Sequence, residues 1–549
     1  MNLANLGLAG INAAQNRLQT AGHNIDNAAT DGYNRQNVIT STAGATSTGS
    51  GFVGRGVQTD SIRRAYNDFL YKQLVNSQST GASITAYGNQ MVQVNNLFAD
   101  RTVGITPALQ NFFDGVQAVA STPADPASRQ DLLGRASNLV GQINNANSFL
   151  DSQRADVNTQ VSTVVTQINS YVERVRDLNR QIVVAKASSS GQPPNDLLDQ
   201  RDQTVSELSQ LVGVKVFEQE GNVNLAIGNG QVLLGGDTVF PLKAIPSAED
   251  PSRTVVAYSA PTGMASTTLV EMSDDSITGG TLGGLLSFRK DTLDSVQNDL
   301  GRLATGVAMS VNAVQQQGYD QNGNAGAAFF TVGAPKVLGN GANRGTAELS
   351  ASFTDPNALT SQDYKVEFDG TQYKVTTIPG GTQTVYPDLS TAPVQFGGMQ
   401  VQISGGAVAG DSWLLQPTRS AAGDIRLNLT NPASIAAAST PIGDADGNNA
   451  LAMAQLQTGN VLGNGTMSLN EAYSQIVNKV GVQTQQNATS AKAQAALIQQ
   501  NYAAQQSISG VNLNEESVNL DRFQEQFRAA SRLIDVSSSL FDTLLGLHT

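Results

Sequence analysis

The final stretch of the chain, SGVNLNEESVNLDRFQEQFRAASRLIDVSSSLFDTLLGLHT (Ser509–Thr549), repeats in sevens. One column holds Leu513, Leu520, Phe527, Ile534 and Phe541. A second, three residues further on, holds Phe523, Ala530, Ser537 and Leu544. This is the a/d pattern of a coiled-coil seam. Asn512, three residues before Glu515, suits a capped start, and Glu515, Glu516 and Asp521 lie near the positive end of the helix dipole. Arg522, Arg528 and Arg532 follow them. The pattern predicts a helix of about 34 residues, roughly 50 Å long. Its apolar seam needs a partner, either in the same globular core or at the other end of the chain.

The opening of the chain offers one. Ala4, Gly7, Ile11, Ala14, Leu18, Ala21 and Ile25 alternate spacings of three and four, a second seam made of smaller residues. Small residues allow close helix approach, and the Phe and Leu knobs of the C-terminal helix can fill the space. The pattern stops at the turn formers Asn27, Thr30, Asp31, Gly32 and Tyr33. From Thr40 to Gly56 the chain is Ser, Thr and Gly, which reads as extended or mobile. The two terminal seams either complete a bundle or stay partly unmade in the monomer and pack between subunits. Their length and their Ser/Thr/Gly-rich flanks favour packing between subunits.

Further in, Ile143, Leu150, Val157, Val164, Tyr171 and Leu178 recur every seventh residue. They predict a long helix from near Asp131 to about Ala187, broken by Ser188–Gly191, Pro193 and Pro194. A shorter helix carries Leu197, Val205, Leu208 and Leu211. After Gly213 the period drops to two: Val214 and Val216, then Val223, Leu225 and Ile227, flank Glu220-Gly221-Asn222 as a hairpin. Helical spacing resumes from Leu285 to Val314. Alternation returns between about residues 319 and 425, where Trp413 is read as core, and helix returns from Leu469 to Ser507. The predicted fold is an α+β multidomain chain: a long helical coiled-coil or bundle formed by both ends, with β-rich insert domains nested inside. The expected units are residues 1–40 with 509–549, a helical bundle of 57–212 with 278–318 and 426–508, a small β domain at 213–277, and an outer β-rich domain at 319–425.

A formal charge of −13 and a pI near 4.7 argue against nucleic acid and anionic membranes as partners. Only 14% of residues are charged, so the acidity is dilute, and there is no cysteine for disulfide, zinc-thiolate or nucleophile chemistry. No Lys or Arg precedes Arg17, so the start does not read as a secretory signal, and no run is long and apolar enough to insert in a membrane. By these rules alone the chain reads as cytoplasmic. An enzymatic constellation is missing. His23 and His548 read as surface positions at the helical ends. Gly279–Gly284 lacks the Lys-Ser/Thr ending of a phosphate loop and reads as a tight turn ahead of Leu285. Asp320–Asn324 and Asp444–Asn448 lack calcium-loop spacing and read as surface turns. The pairs Asp199/Asp202 and Asp274/Asp275 read as ordinary helix-face and loop carboxylates. No metal or cofactor is expected.

Several segments carry a resemblance. Leu8–Gln15 and Asn24-Ile25-Asp26-Asn27-Ala28-Ala29-Thr30-Asp31-Gly32-Tyr33 resemble the N-terminal signature of bacterial flagellar rod, hook and hook-associated proteins. Tyr33-Asn34-Arg35-Gln36 is similar to the hook-associated protein 1 branch. Val511–Glu516, Asn519-Leu520, Arg522–Gln524 and Phe541–Leu545 resemble that family's C-terminal end, and Asn195–Asp202 and Gly279–Leu286 its middle segments. The resemblance implies a non-enzymatic junction protein between hook and filament, whose terminal helices form an inner tube after assembly. It implies Asn24, Ile25, Asn27, Thr30, Gly32 and Tyr33 as signature residues. With the seams, it marks Ile11, Leu18, Ile25, Leu513, Leu520, Phe523, Phe527, Ile534, Phe541 and Leu544 as the assembly interface. Implied partners are further copies in a ring, the hook protein, a second hook-associated junction protein, and an export chaperone on the C-terminal helix. Implied localisation is the flagellum, reached by type III export without a cleaved signal, which replaces the cytoplasmic reading. The competing reading is a surface adhesin or antigen whose β domains bind a host or glycan ligand.

Overall fold

A computed structural model describes residues 3–99, 104–219, 221–261, 267–442 and 445–546. The helices are α1 (Leu3–Asp26), α2 (Asp68–Ala99), α3 (Ile105–Ser121), α4 (Pro126–Ser188), α5 (Asn195–Leu211), α6 (Gly280–Ser287), α7 (Asp294–Gln315), α8 (Ala421–Asp424), α9 (Asn448–Gln455), α10 (Leu469–Ser509) and α11 (Leu513–Gly546). His548, Thr549, Asp444 and Glu220, each named above, lie outside the described residues.

The bundle is organised by α4, whose Ile143, Leu150, Val157, Val161, Val164 and Ile168 are all buried. It starts earlier than the heptads suggest because Asp125 caps it, accepting from the backbone of Ala127 and Ser128, with Pro126 in the first turn. Helices α2 and α10 run antiparallel, with Ser77 meeting Asn501 and Gly81 lying against Ile498. Ser468 and Glu471 cap α10 reciprocally.

Two sequence expectations fail here for identifiable reasons. Gly280–Gly284 is not a turn but the first turns of α6; only Gly279 and Gly280, at φ of 69° and 60°, make the bend. Gly284 is needed for contact, since a Cβ there would collide with the carbonyl oxygen of Ser83 on α2. The helical spacing from Leu285 to Val314 is carried by α6 and α7, joined through a π-helical segment, Phe288–Leu293. At this widened turn lies Arg289, fully buried, paired with Asp274 at 2.9 Å. Asp274 is therefore a structural counter-ion rather than a loop carboxylate.

The first strands belong to the terminal segment. β1 (Gln36–Thr42) pairs antiparallel with β4 (Val57–Arg64), and β2 (Ala45–Thr48) with β3 (Gly51–Gly54). The Ser/Thr/Gly stretch is thus a hairpin, and residues 57–64, expected to open the helical bundle, form its returning strand. The small β region comprises β5 (Val214–Gln219), β6 (Asn222–Ile227), β7 (Gln231–Gly235) and β8 (Thr238–Val239) in one sheet. A second sheet holds β9 (Leu242–Pro246), β10 (Thr254–Pro261) and β11 (Thr267–Glu271). Its buried face continues the bundle core.

The outer region has its own core around Trp413, Val366, Leu415, Met399 and Val401. After the short β12 (Phe330–Thr331), the strands β13 (Lys336–Gly339), β15 (Asp363–Phe368), β16 (Tyr373–Ile378), β17 (Gln383–Tyr386) and β20 (Ser412–Gln416) form a five-stranded antiparallel sheet. β14 (Glu348–Phe353), β18 (Val394–Phe396) and β19 (Met399–Ser404) form a three-stranded one. Ions tie this region to the bundle. Arg154 and Arg419 reach Asp294 at 2.6 and 2.8 Å, Arg253 reaches it at 2.6 Å, and Arg419 also pairs with Asp363.

Candidate assembly site: the terminal hairpin and its clasp

Helices α1 and α11 pack antiparallel. A Cβ on Gly7 would lie 2.7 Å from Ile534 Cγ1, and one on Gly10 would lie 3.0 Å from the Ala530 side chain. Further along, Arg17 donates to Gln526 at 2.9 Å and its guanidinium lies over the Phe523 ring at 5.7 Å. At the far end Asn24 donates to Glu516. Glycine at position 7 is thus what lets the large residues of α11 approach the α1 backbone. The opposite flank of α1 lies on the β1–β4 hairpin, where Asn16 meets Thr59 at 3.2 Å and Arg17 meets Thr40 at 2.8 Å.

The ten residues expected at the assembly interface divide in two. Ile11, Leu18 and Ile25 on α1, with Leu520, Phe523, Phe527 and Ile534 on α11, lie on the two paired helices and are half-buried. Leu513, Phe541 and Leu544 are exposed. The register explains why. With Gly7 opposite Ile534, α1 runs out before Phe541 is reached, and with Asn24 opposite Glu516 the chain turns away before Leu513. Among apolar residues of α11 only Ala530 is buried, and neither terminal helix contributes to the bundle core.

A polar clasp holds the hairpin to the bundle. Asn24, buried, uses its whole amide: its oxygen accepts from the Tyr33 hydroxyl (2.8 Å) and the Gln36 N–H (2.9 Å), and its nitrogen donates to the Gln36 carbonyl (3.0 Å) and Glu516 (3.3 Å). Arg35 pairs with Glu516 at 2.6 Å and Glu515 at 3.0 Å, while its N–H donates to the carbonyl of Ser509, where α10 ends. Asn27 caps back onto the His23 carbonyl and accepts from Thr30, and Gly32 (φ 78°) passes so close to Gln203 that a Cβ would sit 2.9 Å from its amide oxygen. The signature residues thus shape one loop pressed against α5.

On α5, Asp199 accepts from the backbone and side chain of Asn34 (2.9 and 2.6 Å) and pairs with Arg64 at 2.8 Å. Asp202 pairs with the same guanidinium at 2.7 Å, which also stacks on Tyr66 at 4.1 Å. Gln36 donates to Asp196 at 2.7 Å, and Asn195 donates to the Ile62 carbonyl at 2.9 Å. Burial raises the Asp199 and Asp202 carboxyls above the usual range despite Arg64. It would lower Arg64, but Asp202 and Asp199 outweigh it. Burial, helped by Asp196 and Asp199, also pushes the Tyr33 phenol far up. These groups hold each other, and their chemistry is attachment.

Two readings are corrected here. Asp199 and Asp202 are not ordinary helix-face carboxylates but buried partners of Arg64. His23 is not a bare surface position, since it lies half-buried, edge-on to Tyr33 and 3.2 Å from Asp196. Sequence reasoning missed Asn34, Arg35, Gln36, Arg64, Asp196 and Glu516 as clasp residues. The available signal was Asp199 and Asp202 three apart on a helix in a weakly charged chain, which demands a cation nearby. Asp320 heads a turn, accepting from the N–H groups of Asn322 and Asn324, and in the second acidic loop Asp446 accepts from that of Asn448. Among the described residues, no group of three or more His, Asp or Glu could hold a metal, and no helix is long and apolar enough to cross a membrane.

Paired terminal helices clasped to a bundle with nested β regions are the architecture of this chain, and its likeness to known proteins gives the class. The pattern of the "flagellar hook-associated protein FlgK helical domain" matches residues 91–330, and that of the "flagellar hook-associated protein 1, D2-like domain" matches 338–417. Flagellar hook-associated protein 1 of Salmonella typhimurium is 38% identical over 556 residues, covering 100% of both chains. The Bacillus subtilis protein of that name is 24% identical over 554 residues, covering 98% of this chain and 96% of its own. The solved flagellar hook junction protein FlgK from Burkholderia pseudomallei superposes with a TM-score of 0.75 at 32% identity, covering 80% of this chain and 100% of that one. The chain belongs to the flagellar hook-associated protein 1 family.

Proposed function

We propose that this protein joins the flagellar hook to the filament as a non-enzymatic structural component, and that α1 and α11 are its assembly elements. The family supports the junction role. The observation that carries the mechanism is the half-covered seam of α11. A continuous heptad pattern runs to Leu544, yet α1 covers it only as far as Ser537, leaving Leu540, Phe541, Leu544 and Leu545 in water. Burying that end between copies would complete the seam, and a closed ring is the arrangement in which each copy both gives and receives the same contact.

Hook protein on one side and a second hook-associated junction protein on the other are the neighbours this role requires. Before assembly the same exposed end is an aggregation liability, and an export chaperone covering α11 removes it. Delivery through the flagellar type III apparatus belongs to the same reading. An adhesin role for the β regions has no support in the fold or in the relatives named above. Removing the protein from its own cells tests the junction: hooks should persist while flagellin is shed into the medium. Filaments of normal length on such cells would refute it.

A further inference from the structure

The β2–β3 end of the hairpin is the second apolar feature with no cover. Phe52 is 80% exposed and Val53 53%, in a stretch from Thr40 to Gly54 that holds no charged residue. The hairpin climbs α1 toward its N-terminus: Asn24 meets Gln36, Asn16 meets Thr59, and Gly56 lies against Leu6. Its ladder then continues past Gly56, with Ala43 donating to the Gly56 carbonyl and Arg55 to that of Gly44. A two-stranded hairpin with nothing packed on it is marginal in water. Phe541 is 61% exposed and Leu544 65%, so within one chain the tip and the end of α11 do not cover each other. The course of the ladder carries the tip toward the N-terminal end of α1, the same end past which the register carries Phe541 and Leu544.

We infer that the Phe52–Val53 tip of one copy seats on the uncovered end of α11, around Leu540, Phe541 and Leu544, in the adjacent copy. The inference rests on the reading that copies pack side by side. Copies related by rotation about a common axis present the same end at the same height, which brings one copy's tip level with its neighbour's helix end. The site continues the α1–α11 seam, and burying it desolvates no charge on the hairpin side. The tip would act as a latch between neighbours, separate from the clasp that holds each copy's own hairpin.

The cysteine-free sequence permits a direct test. Chains carrying Phe52→Cys and chains carrying Leu544→Cys are expressed together in cells lacking the native protein, and isolated flagella are treated with a mild oxidant. The expected result is a mixed disulfide dimer in assembled flagella and none in the same two chains as soluble monomers. A second pair, Val53→Cys with Leu540→Cys, guards against poor geometry at one position. A lysine-reactive cross-linker on the same flagella reports whether copies adjoin at all. Cross-linked dimers without either mixed disulfide would overturn the latch alone. Absence of both would overturn the side-by-side packing as well.

Discussion

Arg64 is the residue on which the clasp turns, because a single guanidinium pairs with two carboxylates whose hold on a proton is raised by burial and only partly offset by that pairing. Arg64→Ala should destabilise attachment of the terminal hairpin by about 3 kcal/mol, since breaking a buried pair from one side strands the other charges. Limited proteolysis should then cut between residues 27 and 35 faster than in the parent. Asp363 gives a pH signature. Burial lifts its carboxyl to about 6, against the pull of Arg419, from an unfolded value of 3.8. A raised carboxyl binds its proton more readily in the folded chain, so its stabilising contribution is complete below about pH 4 and is lost as pH rises through 6. Between pH 7 and pH 5 the outer region should gain about 1 kcal/mol, and Asp363→Asn should abolish the gain. Calorimetric scans at the two pH values check this. Asp294 does not confound the window. Burial would raise it too, but Arg253, Arg419 and Arg154 hold it far below the usual range, so its contribution is lost only in strong acid.

At the scale of elements, the α1–α11 pair depends on the absence of a side chain at Gly7. Gly7→Val would drive a branched side chain into Ile534 and should destabilise the pair by about 1–3 kcal/mol. Circular dichroism and protease sensitivity confined to the two ends would register it, while the core around Phe112, Phe329 and Phe330 stays intact. Helices with a clean seven-residue period were legible in the sequence because periodicity marks one apolar face, buried in α4 and half-covered in α11. Two kinds of feature were not. The hairpin hides because residues 40–56 are mostly Ser, Thr and Gly, and the strand that closes it, β4, offers only Val57 and Ile62 as apolar residues, so no hydrophobic alternation marks a face. The clasp hides because it is made of Asn, Gln, Asp and Arg, each ordinary locally and informative only when α5 is brought beside residues 34–36. The glycines of α6 looked like a turn because a close helix contact and a bend ask for the same residue.

At the scale of the molecule, the chain keeps its large apolar residues in two cores, one through the bundle and small β region and one in the outer region, and leaves the terminal pair outside both. On the proposed function, such a division lets the ends change partners without disturbing the rest. The most direct test is therefore a charge placed in the α11 seam of the full-length protein in its own host. Phe527→Asp, with Ile534→Asp as a second variant, should leave the central regions folded, with an unchanged main calorimetric transition, and yield exported protein that forms no hook–filament junction, because burying an unpaired carboxylate in that seam is too unfavourable. Normal filaments on cells carrying Phe527→Asp would contradict the account.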